Sequence, residues 1–289
     1  MYAPKHPFKG PKYETFQQAF DLTGRVALIT GGGGLLGPRH AAAILELGGI
    51  PVINEIKREK VDATLKALRK AFPKREMHGV MADITNPDDV EAMVESVVKT
   101  YGRLDILVNN AANNPTMSGG EDVKKTRLEE FPLDAWNGDV GVGLTGAFLC
   151  CKVVSKPMIK AKRGVIVNIS SDMGIISPDQ RVYLKPGQKY GEQAFKPITY
   201  AVVKGGLVAM TRWLATYLAP FEIRVNTLTP ASVFAEQPEH LVNNLAERIP
   251  LARMSHHDEF KGALQFLCAD ASSYMTGQNL VLDGGRSIW

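Results

Sequence analysis

Two side chains that could transfer a proton lie one helical turn apart in this sequence. Tyr200 and Lys204 fall in an apolar-rich stretch, residues 197–210, and a 3.6-residue period brings positions i and i+4 to the same face of a helix. The unperturbed pKa of tyrosine is about 10, and a nearby cation favours the phenolate and lowers that pKa. We therefore expect the pair to exchange a proton with an alcohol. A half-buried tyrosine beside a solvated lysine is the alternative.

A glycine-rich turn near the N-terminus could bind phosphate groups. The apolar run 25–30 is followed by the sequence GGGGLLG and by Pro38, which together have the pattern of a strand, a turn and a helix. Glycines let the backbone approach a pyrophosphate, and the free N–H groups at a helix start favour an anion. A plain tight turn is the alternative. The residues expected to contact a nucleotide here are Gly31, Gly33, Gly34, Leu35, Leu36 and Gly37.

Glu55 favours the nucleotide interpretation of this turn. It follows the next β-like run, residues 50–54, where a carboxylate can accept hydrogen bonds from a ribose diol. The same carboxylate would repel a 2′-phosphate, so the sequence predicts NAD rather than NADP. Arg39 and Arg58 are close enough in sequence to bind that phosphate instead.

Alternating strands and helices must position these residues. Such alternation indicates right-handed crossovers and a parallel sheet that is covered on both faces. We predict an α/β fold with one doubly wound parallel sheet of about seven strands, helices on both faces and a single domain. Strands are expected at 25–30, 50–54, up to about 83, 104–108, 164–169, 222–228 and 279–282, with helices at 41–47, 57–71 and 86–101.

The composition excludes several classes of protein. The 289 residues are 45% hydrophobic and 22% charged, which suits a globular chain with a sizeable core. The net charge of +4 arises from 34 basic residues spread among 30 acidic ones, without the dense basic block of a nucleic-acid binder. No apolar run approaches the roughly 20 residues that span a bilayer, and no signal-peptide pattern is present.

Three cysteines and the first twenty residues complete this outline. Cys150, Cys151 and Cys268 have no metal-ligand spacing, and the adjacent pair would strain a disulfide, so we expect a cytoplasmic protein. Residues 1–20 precede any core-like pattern. We interpret them as an N-terminal extension that packs on the surface or on a partner subunit, with a frayed tail as the alternative.

Motifs in a fixed order resemble the short-chain dehydrogenase/reductase family over nearly the whole chain, from Leu22 to Gly285. This resemblance implies an NAD(P)-binding domain of the Rossmann type at residues 21–289, with residues 172–197 as an insertion. It also implies that Asp83 and Ile84 meet the adenine end of the cofactor. The other motifs are Thr30-Gly31 with Gly37, the Asn109-Asn110-Ala111 turn, Ser170-Ser171, Tyr200 with Lys204, Arg224-Val225-Asn226 with Pro230, and Asp283-Gly284-Gly285. Asn110, Ala111 and Ala112 are expected to contact the cofactor. Pro230 and Val233 would border the nicotinamide.

The resemblance also implies a catalytic set. Tyr200 would be the general acid and base, Lys204 would lower the pKa of Tyr200 and hold the nicotinamide ribose, and Ser171 would bind the substrate oxygen. Ser171 is preferred to Ser170 because it aligns with the second serine of the family and because side chains alternate along a strand. The expected reaction is hydride transfer between NAD(P) and a secondary alcohol or carbonyl, without a metal. A strand that merely ends at two serines is the alternative.

Two positions depart from the family pattern. Leu35 replaces the middle glycine of the phosphate loop, which would leave backbone amides to contact the phosphates. Gly143 stands where the family usually carries an asparagine that binds a water linking the lysine to solvent. Several glycines in the same segment predict a bent or unusually close-packed helix, because each costs about 1 kcal/mol relative to alanine.

The third departure is a long segment between the serine and the tyrosine. Ser171 and Tyr200 are 29 positions apart, far more than is usual in the family, and the excess is residues 172–197. Because both of its ends join candidate catalytic residues, this insertion should cover the substrate pocket. Its cations are Arg181, Lys185, Lys189 and Lys196. They favour an anionic small-molecule substrate, and a solvated charged loop is the alternative. The candidate substrate contacts are Asn113, Asp172 and Arg181.

The substrate and the assembly are less closely defined. The insertion and the C-terminal sequence DGGRSIW look like a subgroup found near bacterial surface-sugar and flagellin-modification genes, which points to a sugar or sugar derivative. A 3-oxoacyl or polyol substrate is the alternative, and a nucleotide-binding regulatory protein of weak activity is the alternative function from another class.

The family resemblance implies a homodimer or homotetramer through segments 132–160 and 198–218, although core packing would also explain their apolar faces. His256 and His257 are interpreted as a helix start rather than a metal site.

Overall fold

One seven-stranded parallel sheet forms the centre of the molecule. In the computed structural model, residues 13–113 and 121–289 are described. The strands are β1 Val26–Ile29, β2 Ile50–Glu55, β3 His78–Met81, β4 Ile106–Asn109, β5 Gly164–Ile169, β6 Ile223–Pro230 and β7 Asn279–Leu282. Their order across the sheet is β3-β2-β1-β4-β5-β6-β7, and every pairing is parallel. The predicted fold class is confirmed.

Helices cover both faces of this sheet. They are α1 Phe16–Phe20, α2 Gly37–Glu46, α3 Arg58–Ala71, α4 Pro87–Tyr101, α5 Leu133–Val140, α6 Gly146–Ala161, α7 Ile198–Leu218, α8 Glu239–Ala246 and α9 Lys261–Cys268. Alternate residues of β1 enter opposite cores, as strand geometry requires. Ala27 and Ile29 pack beneath α2, α3 and α9, whereas Val26 and Leu28 pack with α4 and α6.

The strand order places a crevice beside β1 and β4. The chain winds outward from β1 through β2 to β3, then returns to β4 and winds the other way. Ligands of doubly wound sheets bind outside the carboxyl ends of the strands at such a reversal. The glycine-rich turn follows β1, and the segment at Asn110 follows β4, so both lie at this crevice.

Element boundaries differ slightly from those expected. The fourth strand begins at Ile106 rather than at residue 104. The carboxylate of the preceding Asp105 accepts a hydrogen bond from the Val26 N–H at 2.9 Å. Pro38 is the second residue of α2 rather than the first. Most of the expected N-terminal extension, residues 1–12, lies outside the described residues. Helix α1 follows, with Thr15 and Gln18 forming a capping box.

A continuous helical stretch runs from Leu133 to Ala161 through α5, a π-helical segment and α6. The π-helix covers Gly141–Thr145, and the packing of Gly143 against α7 confirms the expectation of an unusually close-packed helix. A Cβ added at Gly143 would lie 2.5 Å from Val203 Cγ1 of α7. Glycine at this position therefore lets the two helices approach closely.

The same helical stretch is relevant to the expectation about membranes. In the described part of the chain, residues 133–161 form the one helix that is long and apolar enough, by length and composition alone, to cross a bilayer. Cys150, Val154 and Met158 of this helix are buried in the core against the sheet, which accounts for its apolar character.

Gly143→Ala is expected to lower the free energy of unfolding by about 1–3 kcal/mol, because the added methyl group must displace Val203. Gly138→Ala is the matched control, since nothing lies within 4 Å of a Cβ at Gly138 in α5. That control should gain about 0.5–1 kcal/mol from reduced chain entropy. Urea unfolding measures both, and equal stability of the two variants would contradict the packing account.

Candidate active site

A cavity of about 1050 Å³ opens at the carboxyl ends of the central strands. Its size lies at the upper end of the range for ligand pockets. Most of the predicted cofactor residues line it: Gly31, Gly34, Leu35, Leu36, Glu55, Asp83, Ile84, Asn110, Ala111, Ala112, Tyr200, Lys204, Pro230 and Val233. Among the described residues, Gly33 and Gly37 are outside this lining. The cavity therefore joins the glycine-rich turn to the tyrosine and lysine of α7.

The glycine-rich turn is tied to the segment after β4. Gly31 has a φ of +60°, and a Cβ there would lie 2.7 Å from the Cα of Ala111. The Asn110 amide donates to the carbonyls of Thr30 and Gly31 at 3.0 and 2.9 Å. The Thr30 hydroxyl accepts from the N–H groups of Asn110 and Ala111, both at 3.1 Å. Only a glycine fits at position 31, because the two segments touch through their backbones.

Glu55 lies at the end of the cavity that contains the glycine-rich turn. One carboxylate oxygen accepts from the Gly33 N–H at 3.1 Å and the other from the Ile56 N–H at 3.3 Å. The carboxylate is thus held beside the phosphate loop, where it fits a ribose diol. Lys60, which sequence reasoning missed, also lines this end. Among the described residues that line the cavity, neither Arg39 nor Arg58 is present. Arg39 instead forms an ion pair with Asp258 at 3.4 Å.

Tyr200 and Lys204 project from α7, which is held against the end of β5. The Lys204 ammonium donates to the Ile169 carbonyl at 2.8 Å, and the Ser170 hydroxyl donates to the backbone carbonyl of Lys204, also at 2.8 Å. Ser170 therefore fixes the helix. The next residue, Ser171, presents its hydroxyl to the Tyr200 phenol in the cavity.

Burial controls the proton affinities of this pair. It raises the pKa of the Tyr200 phenol, the hydrogen bond with Ser171 acts in the opposite direction, and the Asp172 carboxylate raises the pKa further. The pKa of Tyr200 is therefore raised, contrary to the expected lowering by Lys204. The Lys204 ammonium lies 5.8 Å from the ring centroid and donates to a backbone carbonyl instead. Burial, followed by the charge of Lys196, lowers the pKa of Lys204 to about 8.

A buried ion pair lies directly beside Ser171. Asp172 accepts from the Ser171 hydroxyl at 2.7 Å and from the Met173 N–H at 2.9 Å through one oxygen. Its other oxygen accepts from the Arg286 guanidinium at 2.6 Å, and both charged side chains are at most 5% exposed. Arg286 also lies 3.4 Å from the Ser232 hydroxyl. Asp172, expected to bind substrate, thus orients the serine and pairs with a residue of the C-terminal sequence.

The insertion at residues 172–197 covers one side of the cavity. It contains two 3₁₀ turns, Asp172–Gly174 and Gln180–Tyr183. Asn244 of α8 donates to the Val182 carbonyl at 2.9 Å, which docks the insertion on that helix. Residues that the insertion contributes to the lining are Asp172, Met173, Tyr183, Lys185, Gln188, Glu192, Gln193, Ala194 and Lys196.

The four cations of the insertion do not share one environment. Lys196 places its ammonium 3.8 Å from the centroid of the Tyr200 ring, a cation–π distance. Lys185 lines the cavity farther along the insertion. Arg181 is outside the described lining, 69% exposed and paired with Asp179 at 2.8 Å. Lys189 is exposed and is not among the described residues that line the cavity. The cation expected to meet substrate, Arg181, is therefore not the one next to the tyrosine.

The remaining predicted residues have clear positions. Asn113 lines the cavity and donates to the Gly138 carbonyl at 3.4 Å.

His256 caps the 3₁₀ turn His257–Phe260, so the expectation of a helix start is confirmed. The ligand atoms of His256, His257 and Asp258 lie within 4.8 Å of one another, as a metal site would require. His256 Nδ1 accepts from the Asp258 N–H, and Arg39 pairs with the Asp258 carboxylate.

Comparison with known proteins identifies the family. A family model described as short chain dehydrogenase matches residues 25–183, and a second, described as Enoyl-(Acyl carrier protein) reductase, matches residues 187–287. The chain belongs to the short-chain dehydrogenase family. A 3-oxoacyl-[acyl-carrier-protein] reductase from Thermotoga maritima is 33% identical over 92% of this chain and 99% of its own. A D-threitol dehydrogenase from Mycolicibacterium smegmatis is 29% identical over 93% and 95%.

Solved structures of short-chain dehydrogenases share the fold. A gluconate 5-dehydrogenase from Burkholderia cenocepacia, in complex with NADP and tartrate, has a TM-score of 0.80 and 27% identity, covering 94% of this chain and 98% of its own. An NAD+-bound xylitol dehydrogenase has a TM-score of 0.78 and 27% identity, covering 91% and 99%. This short-chain dehydrogenase is an oxidoreductase that interconverts an alcohol and a carbonyl with a nicotinamide cofactor.

Arg286→Met is expected to lower the free energy of unfolding by about 3–5 kcal/mol, because Asp172 would be left as an unpaired buried charge. Adding Asp172→Asn to this variant should recover most of the loss. Arg253→Met is the control, since it breaks an exposed pair with Glu259 and should have little effect. Denaturant unfolding of the four proteins tests the account, and an unaltered midpoint for Arg286→Met would contradict it.

Proposed function

We propose that this short-chain dehydrogenase transfers hydride between NAD and a secondary alcohol of a small hydroxylated anion, a sugar acid or similar derivative. One observation carries the proposal. Tyr200 and Lys204 project into the same cavity as the glycine-rich turn, and the Ser171 hydroxyl lies beside the phenol. That convergence provides a proton acceptor, a hydroxyl for the substrate oxygen and a cation where a dinucleotide would end.

In the proposed reaction, Tyr200 moves the proton and the two neighbouring side chains hold the reacting groups. When bound, the nicotinamide accepts hydride from the carbinol carbon. The Tyr200 phenolate takes the hydroxyl proton. The Ser171 hydroxyl, oriented by Asp172, turns to donate to the oxygen as it becomes a carbonyl acceptor. The proposed role of Lys204 is to hold the nicotinamide ribose and to supply positive charge near the Tyr200 ring, 5.8 Å from its centroid.

Tyr200→Phe is expected to abolish turnover while the dissociation constant for NAD stays within about twofold of the wild-type value, since only the hydroxyl is removed. Absorbance of reduced cofactor reports turnover with sugars, sugar acids, polyols and 3-hydroxy acids, and calorimetry reports NAD binding. Substantial activity of Tyr200→Phe would exclude the assigned proton acceptor. Absence of turnover of every substrate by the wild-type protein would favour the rival, a nucleotide-binding regulatory protein.

Glu55 supports NAD as the preferred cofactor. Its carboxylate beside Gly33 suits a ribose diol and repels a 2′-phosphate. Lys60 in the same wall would act in the opposite direction. Related structures contain either NADP or NAD, so the preference rests on this local charge.

Glu55→Gln is expected to reduce the ratio of kcat/KM for NAD to that for NADP by about tenfold, which corresponds to a repulsion of about 1.4 kcal/mol. The amide keeps the shape of the side chain and removes its charge. Initial rates with both cofactors and one substrate measure the ratio. A wild-type enzyme with the higher kcat/KM for NADP would refute the preference.

The substrate class is supported by the cavity wall and by relatives. Lys196 and Lys185 bring positive charge to the substrate side of the cavity. The gluconate 5-dehydrogenase relative was solved with tartrate, a dicarboxylate. Relatives acting on polyols and 3-oxoacyl groups make those substrates the competing candidates. The resemblance to surface-sugar and flagellin-modification proteins agrees with a sugar derivative.

We also propose a cytoplasmic homodimer or homotetramer. The cysteines Cys150, Cys151 and Cys268 are free and buried, which suits a reducing compartment. On α6 and α7, Phe148 is exposed, and Trp213 stacks on Tyr217 with ring centroids 5.1 Å apart on the surface. These apolar side chains suit contact with a second copy of the chain, and sedimentation equilibrium gives the mass that tests it.

A further inference from the structure

Lys196 is held over the candidate proton acceptor by a defined set of contacts. Its ammonium lies 3.8 Å from the Tyr200 ring centroid. Its backbone is held on both sides by one amide, since the Lys196 N–H donates to Gln180 Oε1 at 2.8 Å and Gln180 Nε2 donates to the Lys196 carbonyl at 3.3 Å. Gln193, itself 1% exposed, donates to the Gln180 carbonyl at 3.4 Å. Hydrogen bonds within the folded insertion thus position the backbone of Lys196.

The charges nearest to Tyr200 leave this position electropositive. Arg286 is paired with Asp172, so these two charges largely cancel. Lys204 and Lys196 both approach the phenol ring. Burial of Lys196 disfavours its charged form, and the carboxylates of Asp172 and Asp139 act in the opposite direction. An ammonium has three N–H donors, so an anionic substrate group can bind Lys196 in addition to its neighbours in the protein.

We infer that Lys196 binds a carboxylate of the substrate, and that this carboxylate is attached to the reacting carbon or to the carbon next to it. The inference rests on the proposed function and narrows its substrate to 2- or 3-hydroxy acids and the matching keto acids. The position of Lys196 sets this limit. An ammonium over the Tyr200 ring lies close to the phenol oxygen that receives the substrate proton, so an anion at the far end of a long substrate would not reach it.

The reaction balances with the carboxylate unchanged. The carbinol carbon loses hydride to oxidised nicotinamide, and its hydroxyl loses a proton to Tyr200, which leaves a carbonyl. The carboxylate stays charged throughout and is held by Lys196. Its role is to orient the carbinol toward Tyr200 and Ser171, so the contribution of Lys196 is to positioning and specificity.

Matched acids and amides test the inference directly. The probes are 2- and 3-hydroxy acids, among them lactate, 3-hydroxybutyrate, tartrate and gluconate, each compared with its primary amide. For the wild-type enzyme, kcat/KM for the best acid is expected to exceed that for its amide by about tenfold or more, the worth of one charge-assisted hydrogen bond. Lys196→Met should remove this difference, and Lys196→Arg should keep most of it.

Binding of oxalate supplies a readout that does not depend on turnover. Oxalate has no hydroxyl to oxidise, and calorimetry with the NAD-loaded protein should show about tenfold weaker binding to Lys196→Met than to the wild-type protein. Lys189→Met is the control, because Lys189 belongs to the same insertion but is exposed and outside the described cavity lining. Its oxalate affinity should match that of the wild-type protein.

The outcomes separate this inference from the proposed function. Equal use of acid and amide by the wild-type enzyme overturns the inference, as does equal oxalate binding by the wild-type and Lys196→Met proteins. Turnover of neutral polyols without a preference for acids overturns the inference and leaves the dehydrogenase function intact. The comparison of acid with amide needs only the wild-type chain, so the inference stays testable even if Lys196→Met does not fold.

Discussion

The arrangement of the site depends on two hydrogen bonds that join the end of β5 to α7. The Lys204 ammonium donates to the Ile169 carbonyl, and the Ser170 hydroxyl donates to the Lys204 carbonyl. Gly174 lets the chain after β5 touch the helix, since a Cβ there would lie 2.6 Å from the Lys204 carbonyl carbon. These contacts fix both the distance and the rotation of α7. Tyr200, one turn earlier, then faces the serine that follows Ser170.

The opposite side of α7 is held by equally close packing. A Cβ at Gly143 would strike Val203, and one at Gly206 would lie 2.9 Å from Leu144 Cδ2. The π-helical segment Gly141–Thr145 brings its backbone to this contact. An asparagine at position 143, usual in the family, has no room while α7 keeps its place. Close packing therefore holds α7 in place at a position that lacks the asparagine expected from the family resemblance, and Lys204 donates to the Ile169 carbonyl.

Local patterns in the sequence were sufficient to predict the fold. Apolar runs ending in glycine or asparagine predict the strands of a parallel sheet, and alternation along a strand distinguishes Ser170 from Ser171. Contacts between distant segments could not be predicted in this way. Arg286 and Asp172 are 114 positions apart, and nothing in the spacing pairs them. Arg181 forms an ion pair with Asp179, two residues away. Counting the cations of the insertion could not predict that this nearby carboxylate would bind the guanidinium.

The insertion is continuous with α7, which bears Tyr200 and Lys204. Lys196 immediately precedes Pro197, the N-cap residue of α7, so the segment that lines the cavity also determines where this helix begins. Thr199 in the first turn donates to Asp139 of α5 at 2.5 Å, which holds that start against the neighbouring helix. Gln180 reaches Lys196 from within the insertion. A change in the insertion that altered the position of Lys196 would therefore also act on Tyr200, one helical turn later, because the two residues share one short, well-anchored piece of backbone.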